Sequence, residues 1–268
     1  MITIYHSILG VNLYEIVLLF FIYSLLGWIT EVIYQFYNKR YFVNRGFLYG
    51  PLCPIYGTGI VSVVLLFNSF KSNILLLYVL STVIISFIEY ITGFILEKFF
   101  KSKWWDYTNE PFNLHGRICL SFSLVWGIAA LIIIKFINPL ISNIVSSFPR
   151  EFNIMTSYIF LLIFTLDIAF TLSSLVRFSK MLTRLQLISS ELKERYEYII
   201  VTTKDAAFDA VQNIENNIKE LRHKYDISFD ALDFNHKRLL RAFPNLKPSK
   251  FDNILKEIKE KLNSLKEI

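Results

Sequence analysis

Residues 74–96 read ILLLYVLSTVIISFIEYITGFIL, a run of twenty-three positions that carries a single charge, Glu89. About 20 mostly apolar residues in a helix cross the roughly 30 Å hydrocarbon layer of a bilayer, so this run predicts a membrane-spanning helix. Working outward, comparable runs occupy 12–34, 50–68, 118–137 and 155–177. The prediction is an all-α, polytopic membrane helix bundle of about five spans. Composition agrees, with 54% apolar and 16% aromatic side chains and a mean hydropathy of +0.44, against roughly 45–50% apolar for a soluble domain. The character changes after Phe178: residues 1–178 hold 11 Lys/Arg and 8 Asp/Glu, whereas 179–268 hold 17 and 14. A transmembrane domain, 1–178, is therefore expected to precede a C-terminal cytoplasmic domain, 179–268.

Loop charges set the expected orientation. No Lys or Arg precedes the first span. Lys39, Arg40 and Arg45 follow it, Lys71 is alone in the next loop, Lys98, Lys101, Lys103 and Arg117 fill the third, and Arg150 is alone in the fourth. This alternation places the N-terminus outside and the C-terminal domain in the cytoplasm. Lys135, near the outer end of span 4, is placed to snorkel. The N-terminal stretch has no basic start and no small-residue cleavage pattern, so it reads as an uncleaved anchor.

The second span is unusual. GFLYGPLCPIYGTG, residues 46–59, puts Gly50, Pro51, Pro54 and Gly57 in its first turns. Such residues at membrane depth signify either helix-start chemistry with close packing of small residues, or a broken or re-entrant helix forming a ligand loop.

In the cytoplasmic part, Leu182, Leu185, Leu192, Tyr196 and Ile199 recur at helical spacing, as do Val211, Ile214, Ile218, Leu221 and Tyr225. Pro244 and Pro248 close a shorter helical stretch near 229–243. Ser249 with Asp252 has the form of a capping box opening a last helix through Ile254, Leu255, Ile258, Leu262 and Leu265. These helices either cover their own core or form a coiled-coil dimer or partner-docking surface.

Charges inside the spans are costly and mark sites. Glu31, Glu89 and Asp167 come from three helices and fall in the predicted inner half, while Glu15 lies near an outer end. Beside them, residues 97–127 read EKFFKSKWWDYTNEPFNLHGRICLSFSLVWG. This segment concentrates Asp106, Glu110, Asn113, His115 and Arg117 with Trp104, Trp105 and Tyr107. If it coils, Asp106 and Glu110 share a face; Arg117 pairs with Glu89 or Glu31, or binds an anion such as lipid phosphate. The polar cluster Glu31, Glu89, Asp106, Asn113, His115, Arg117 and Asp167 is thus either a structural ion-pair network or a ligand site.

Several classes drop out. Cys53 and Cys119 supply neither a disulfide framework nor a four-cysteine zinc site. The net charge of +6 divides evenly between the two parts, without a basic block interleaved with stacking aromatics, so nucleic acid is not an expected partner. No GxxxxGK[ST], HExxH or GxSxG motif is present, and the four histidines are scattered. No catalytic residue, metal or cofactor is assigned, and the expected chain is not an enzyme.

GWITE at 27–31, GFLYGPLCPIYGTG at 46–59, EYITGFILEKFF at 89–100 and WWDYTNEPFNLHGRICLSFSLVWG at 104–127, in this order, resemble the bacterial membrane family described as putative ABC-transporter type IV, over roughly residues 12–178. The resemblance implies a multi-pass protein of the bacterial plasma membrane, a permease subunit moving an unknown solute, with a separate ATPase subunit and a homo-oligomer or second membrane subunit as partners in the lipid bilayer. The alternative is a membrane scaffold or sensor whose cytoplasmic helices recruit a partner or dimerise.

Overall fold

The computed structural model describes residues 7–8, 10–100, 103–202 and scattered positions between 216 and 243. The chain is mostly helical and divides into two units, Met1–Leu172 and Ser173–Ile268. A short antiparallel pair, β1 (Ser7–Ile8) and β2 (Val11–Asn12), precedes α1 (Leu13–Lys39). Then come α2 (Pro54–Phe67), α3 (Ile74–Phe100), a hairpin of β3 (Asn113–Leu114) and β4 (Ile118–Cys119), α4 (Leu120–Ile132), α5 (Asn138–Ser147) and α6 (Arg150–Thr202).

Four stretches are long and apolar enough to cross a membrane: Leu13–Asn38, Ile74–Phe100, Leu120–Ser147 and Arg150–Phe178. They expose large apolar side chains, among them Ile33, Val83, Phe87, Leu162 and Phe170. Water would penalise such a surface and lipid would not.

The predicted span over 50–68 is corrected. The helix there begins only at Pro54 and has 14 residues, about 21 Å at 1.5 Å per residue, short of the hydrocarbon layer. Proline at the first helical position is what a helix start tolerates. Gly50 and Pro51 stay outside it, in a turn closed by the Leu52 amide on the Gly50 carbonyl at 2.9 Å. This short helix lies between α1 and α3 and is the innermost: Gly57, Gly59, Ile60, Val61, Val63 and Val64 are buried. A Cβ at Gly57 would run into the Ser24 hydroxyl and the Phe20 carbonyl of α1, so small residues set the separation of the helix axes.

The fourth span also differs from 118–137. Helix continues to Ser147 through a π-helical turn, Ile133–Ile137, where the Asn138 amide donates to the Ile133 carbonyl. Pro139 has no N–H and crowds the carbonyl four residues before it; the widened turn relieves the conflict without ending the helix. Lys135 donates to the Lys71 carbonyl, so its charge is held at the end of the bundle that the Lys71 loop occupies. Asn153 ties the next turn by donating to the Val145 carbonyl at 2.8 Å. The last helix begins at Arg150 and runs to Thr202, well beyond the predicted 155–177.

The core joins Leu18, Leu19 and Tyr23 of α1, Ile60, Val61, Val63 and Val64 of α2, Leu77 of α3, Ala130 of α4 and Ile141 of α5. Within it the Tyr23 hydroxyl donates to Asn138 at 2.8 Å, and Phe20 and Phe21 pack edge-on against Phe164 of α6. The expected capping box at Ser249 and Asp252 and the last helix through Leu265 lie outside the described residues, as does most of 211–243.

Candidate functional site

Two connecting segments at the same end of the bundle fold back along the helices that precede them. After α1 ends at Lys39, Asn44 accepts the Trp28 indole N–H at 2.8 Å and the Gly46 amide at 2.9 Å. The Cys53 amide then donates to the Ser24 carbonyl at 3.0 Å, and Tyr56 packs directly over Gly27. Trp28 stands eleven residues before the end of α1, about 16 Å along the axis. After α3 ends at Phe100, Trp105 packs over Gly93 and donates to the Arg117 carbonyl at 2.8 Å. Tyr107 reaches Glu89 at 3.2 Å, again eleven residues back. The segments meet where the rings of Phe47 and Trp104 lie 5.3 Å apart. The starts of α2 and α4 are therefore recessed relative to the ends of α1 and α3.

The acids converge on this recess, each with different partners. Glu31 accepts the Tyr56 hydroxyl at 2.6 Å and faces the Arg45 guanidinium at 3.4 Å. Asp167 of α6 accepts the backbone amides of Tyr49 and Gly50 at 3.0 and 2.9 Å, together with the Thr171 hydroxyl at 3.2 Å. Gly50 allows that close approach: a Cβ there would lie 2.8 Å from the carboxylate and push the Asp167 side chain aside. Glu89 is buried, takes the Tyr107 hydroxyl on Oε1, and has no partner for Oε2 among the described residues.

Arg117 is not paired with Glu89 or Glu31 as expected. Its Nε and Nη2 donate to Glu97 Oε2 at 3.0 and 2.8 Å, its Nη1 donates to the Tyr90 hydroxyl at 3.2 Å, and its guanidinium lies over the Tyr90 and Phe94 rings. Glu97 and Tyr90 are near helical neighbours on α3, and the returning chain delivers Arg117 beside them, below the level of Glu89. His115 Nδ1 is 3.1 Å from the same Tyr90 hydroxyl.

The helical face expected for Asp106 and Glu110 is also absent, since residues 103–112 form turns. Asp106 instead faces Lys103 at 3.1 Å and accepts the Thr108 amide and hydroxyl. Partial burial pushes its carboxyl up, but these hydrogen bonds and the Lys103 charge outweigh it and hold the group below its ordinary range. Asn113 closes the hairpin by donating to the Thr108 and Glu110 carbonyls and accepting the Gly116 amide. Phe112, His115 and Gly116 have positive φ. At Gly116 a Cβ would lie 2.5 Å from Thr108 Oγ1 and 2.7 Å from Asp106 Oδ1, so both conformation and space demand glycine.

Tyr56, Asn44, Glu97 and Tyr90 were not singled out from the sequence, and Tyr107 was named only as one of the aromatics of the 97–127 segment. Tyrosines flanking a span read as interfacial aromatics, and their roles appear only when the chain doubles back. Burial, and next the charge of Glu89 with a further contribution from Glu31, push the Tyr107 phenol upward. Tyr107 is thus a hydrogen-bond donor lying within electrostatic reach of two acids from two helices.

The sequence profile of a family described as Putative ABC-transporter type IV matches residues 18–172. No curated protein and no solved structure matches the chain.

Proposed function

The chain belongs to the family described as Putative ABC-transporter type IV, and from that premise we propose that it is the permease subunit of an ABC-type transporter in a bacterial plasma membrane. Four spanning helices and family membership make it an ABC-transporter-related membrane protein. The observation that supports a transport role is the recess itself. Two non-helical segments return about 16 Å along α1 and α3, and the short helix α2 starts there beside Glu31, Glu89 and Asp167. Interrupted helices with polar groups at membrane depth are how many transporters build solute sites, because irregular backbone is tolerated there only when protein or a water-filled cavity covers it.

In this reading the solute enters the recess, and α2, packed through Gly57 and Gly27, shifts against α1 to open it. The basic residues Arg45, Lys98, Lys103 and Arg117 gather at the recessed end, which the positive-inside rule assigns to the cytoplasm. A separate ATPase docks on that face and supplies hydrolysis, the chain itself being no enzyme. Two copies or a second membrane subunit enclose the path, since so few spans surround little volume. A scaffold or sensor is the second reading, favoured by α6, which continues as helix from Phe178 to Thr202.

Affinity purification of the tagged full-length protein in mild detergent, followed by mass spectrometry, separates the two. The permease reading expects a stoichiometric ATPase. A homo-oligomer without one, whose activity in cells disappears when 179–268 are deleted, would sink the permease reading and leave the scaffold.

A further inference from the structure

Glu89 differs from the other acids of the recess in what balances it. Glu31 faces Arg45, Glu97 faces Arg117, Asp106 faces Lys103, and Asp167 takes two backbone amides and a hydroxyl. Arg45, Arg117 and Lys103 are thereby committed to other carboxylates, and the Lys98 ammonium lies over the Phe94 ring. Glu89 is 8% exposed, receives a phenol on Oε1, and presents Oε2 to the interior without a partner among the described residues. Ser86 Oγ, one helical turn earlier on α3, is likewise buried and unpartnered among them. Side chains three apart share a helix face, so these oxygens face the same interior.

We propose that Glu89 Oε2, Ser86 Oγ and the Tyr107 hydroxyl oxygen form a binding site for one small monovalent cation, an alkali ion or a primary ammonium. One carboxylate balances one positive charge. The remaining donors are hydroxyl oxygens, which suit an alkali ion or the N–H groups of an ammonium. No group of three His, Cys, Asp or Glu side chains converges among the described residues, so the donor set is not that of a chelated divalent metal. Tyr107 donates its proton to Oε1 and keeps its lone pairs for the ion, and its own phenol is held protonated by burial and by Glu89. The proposal deepens the permease reading: the ion travels as the solute or beside it.

The test uses purified full-length protein in detergent, with its melting midpoint followed by intrinsic fluorescence. At fixed ionic strength and pH, N-methylglucamine chloride is replaced stepwise by sodium, potassium or methylammonium chloride. The expected result is a saturable rise in midpoint with at least one small cation, absent in Glu89→Gln, kept in Glu15→Gln, and shifted to several-fold higher concentration in Ser86→Ala. The Gln variant keeps an oxygen for Tyr107, and Ser86→Ala leaves the carboxylate in place, so one of them reports even where the other does not fold. No difference from N-methylglucamine, or a rise that survives both substitutions, overturns the site. So does a midpoint that follows pH identically in every salt, which would mean that Glu89 takes a proton. Binding needs no ATPase, so absence of a co-purifying ATPase would remove the permease reading and leave this site standing, and the reverse holds equally.

Discussion

Arg117 shows how much a single side chain contributes at the recessed end. Its guanidinium makes two hydrogen bonds to one Glu97 oxygen, a third to Tyr90, and lies over two rings. Lysine offers no planar fork and stacks poorly, so Arg117→Lys should lower stability by about 1–3 kcal/mol, the range for losing charge-assisted hydrogen bonds in a partly buried setting. Thermal unfolding in detergent checks this, and an unchanged midpoint would show that the pair is solvated and idle. Asp106 makes a separate pH prediction. Its folded pKa lies below the ordinary 3.8, so its contribution is complete above the unfolded value near 3.9 and is lost as pH falls through the lower folded value. More than a third of the side chain is exposed, so screening limits the effect to about 1 kcal/mol or less. Acidification from pH 5 to pH 3 should loosen the hairpin in wild type, followed by hydrogen exchange of residues 104–117. Asp106→Asn should begin looser at pH 5 and change less over the same interval. At this scale the sequence pointed to the charged residues that stand out from their apolar surroundings and not to which ones meet. The charge of Glu89 inside an apolar run is visible from composition, but its partner Tyr107 lies eighteen positions away across a reversal that no local periodicity encodes. Arg117 had three acids within sequence reach, and the height to which the returning chain climbs selected Glu97.

Among the elements, α2 carries the strongest contrast between what could and could not be read. Its prolines and glycines announced an irregular start, and Pro54 duly opens the helix. Its true length was hidden because the apolar residues of 46–53 extend the hydrophobic run without extending the helix. Backbone contacts decide the matter: the Gly50 amide is taken by Asp167 and the Cys53 amide by the Ser24 carbonyl, partners that only the folded bundle provides. The π turn before α5 was similarly invisible, since Pro139 reads locally as a helix end. Because Gly57 sits against Ser24 and Phe20 of α1, Gly57→Val should separate α1 from α2, costing about 1–3 kcal/mol as other overpacked core sites do. At Gly59, also buried, a Cβ would meet only Ile85 at an ordinary 3.8 Å, so Gly59→Ala should leave stability unchanged or raise it by up to about 1 kcal/mol. Comparing the two variants by melting in detergent isolates close packing from helix propensity, because alanine and valine both raise the helical preference over glycine or leave it similar. Equal losses at the two positions would contradict the packing account.

At the scale of the molecule, the count of spans determines the topology. Four long helices and a buried short one place the connections after α1 and after α3 at one end, and the Lys71 loop and the α5–α6 turn at the other. The charge pattern was legible without coordinates because Lys and Arg are counted along the chain, whereas the depth of α2 depends on packing. Since α2 runs between the two ends without reaching the length of a full span, the alternation of loops is preserved even though the helix is short. The orientation proposed from the positive-inside rule puts the end bearing Arg45, Lys98, Lys103 and Arg117 in the cytoplasm, and it is open to a direct test. Cys53 and Cys119 are both buried and form no disulfide, so a thiol placed on an exposed position reports against a quiet background once both are replaced by alanine. A cysteine at Asn109, which is exposed in the turn before the hairpin, should resist a membrane-impermeant maleimide in intact cells and react after the membrane is opened. A cysteine at Ser72, exposed in the Lys71 loop, should react in intact cells. The opposite pattern would invert the assignment and move the ATPase-docking face away from the recess; labelling of both positions in intact cells would mean that α2 does not return the chain across the bilayer.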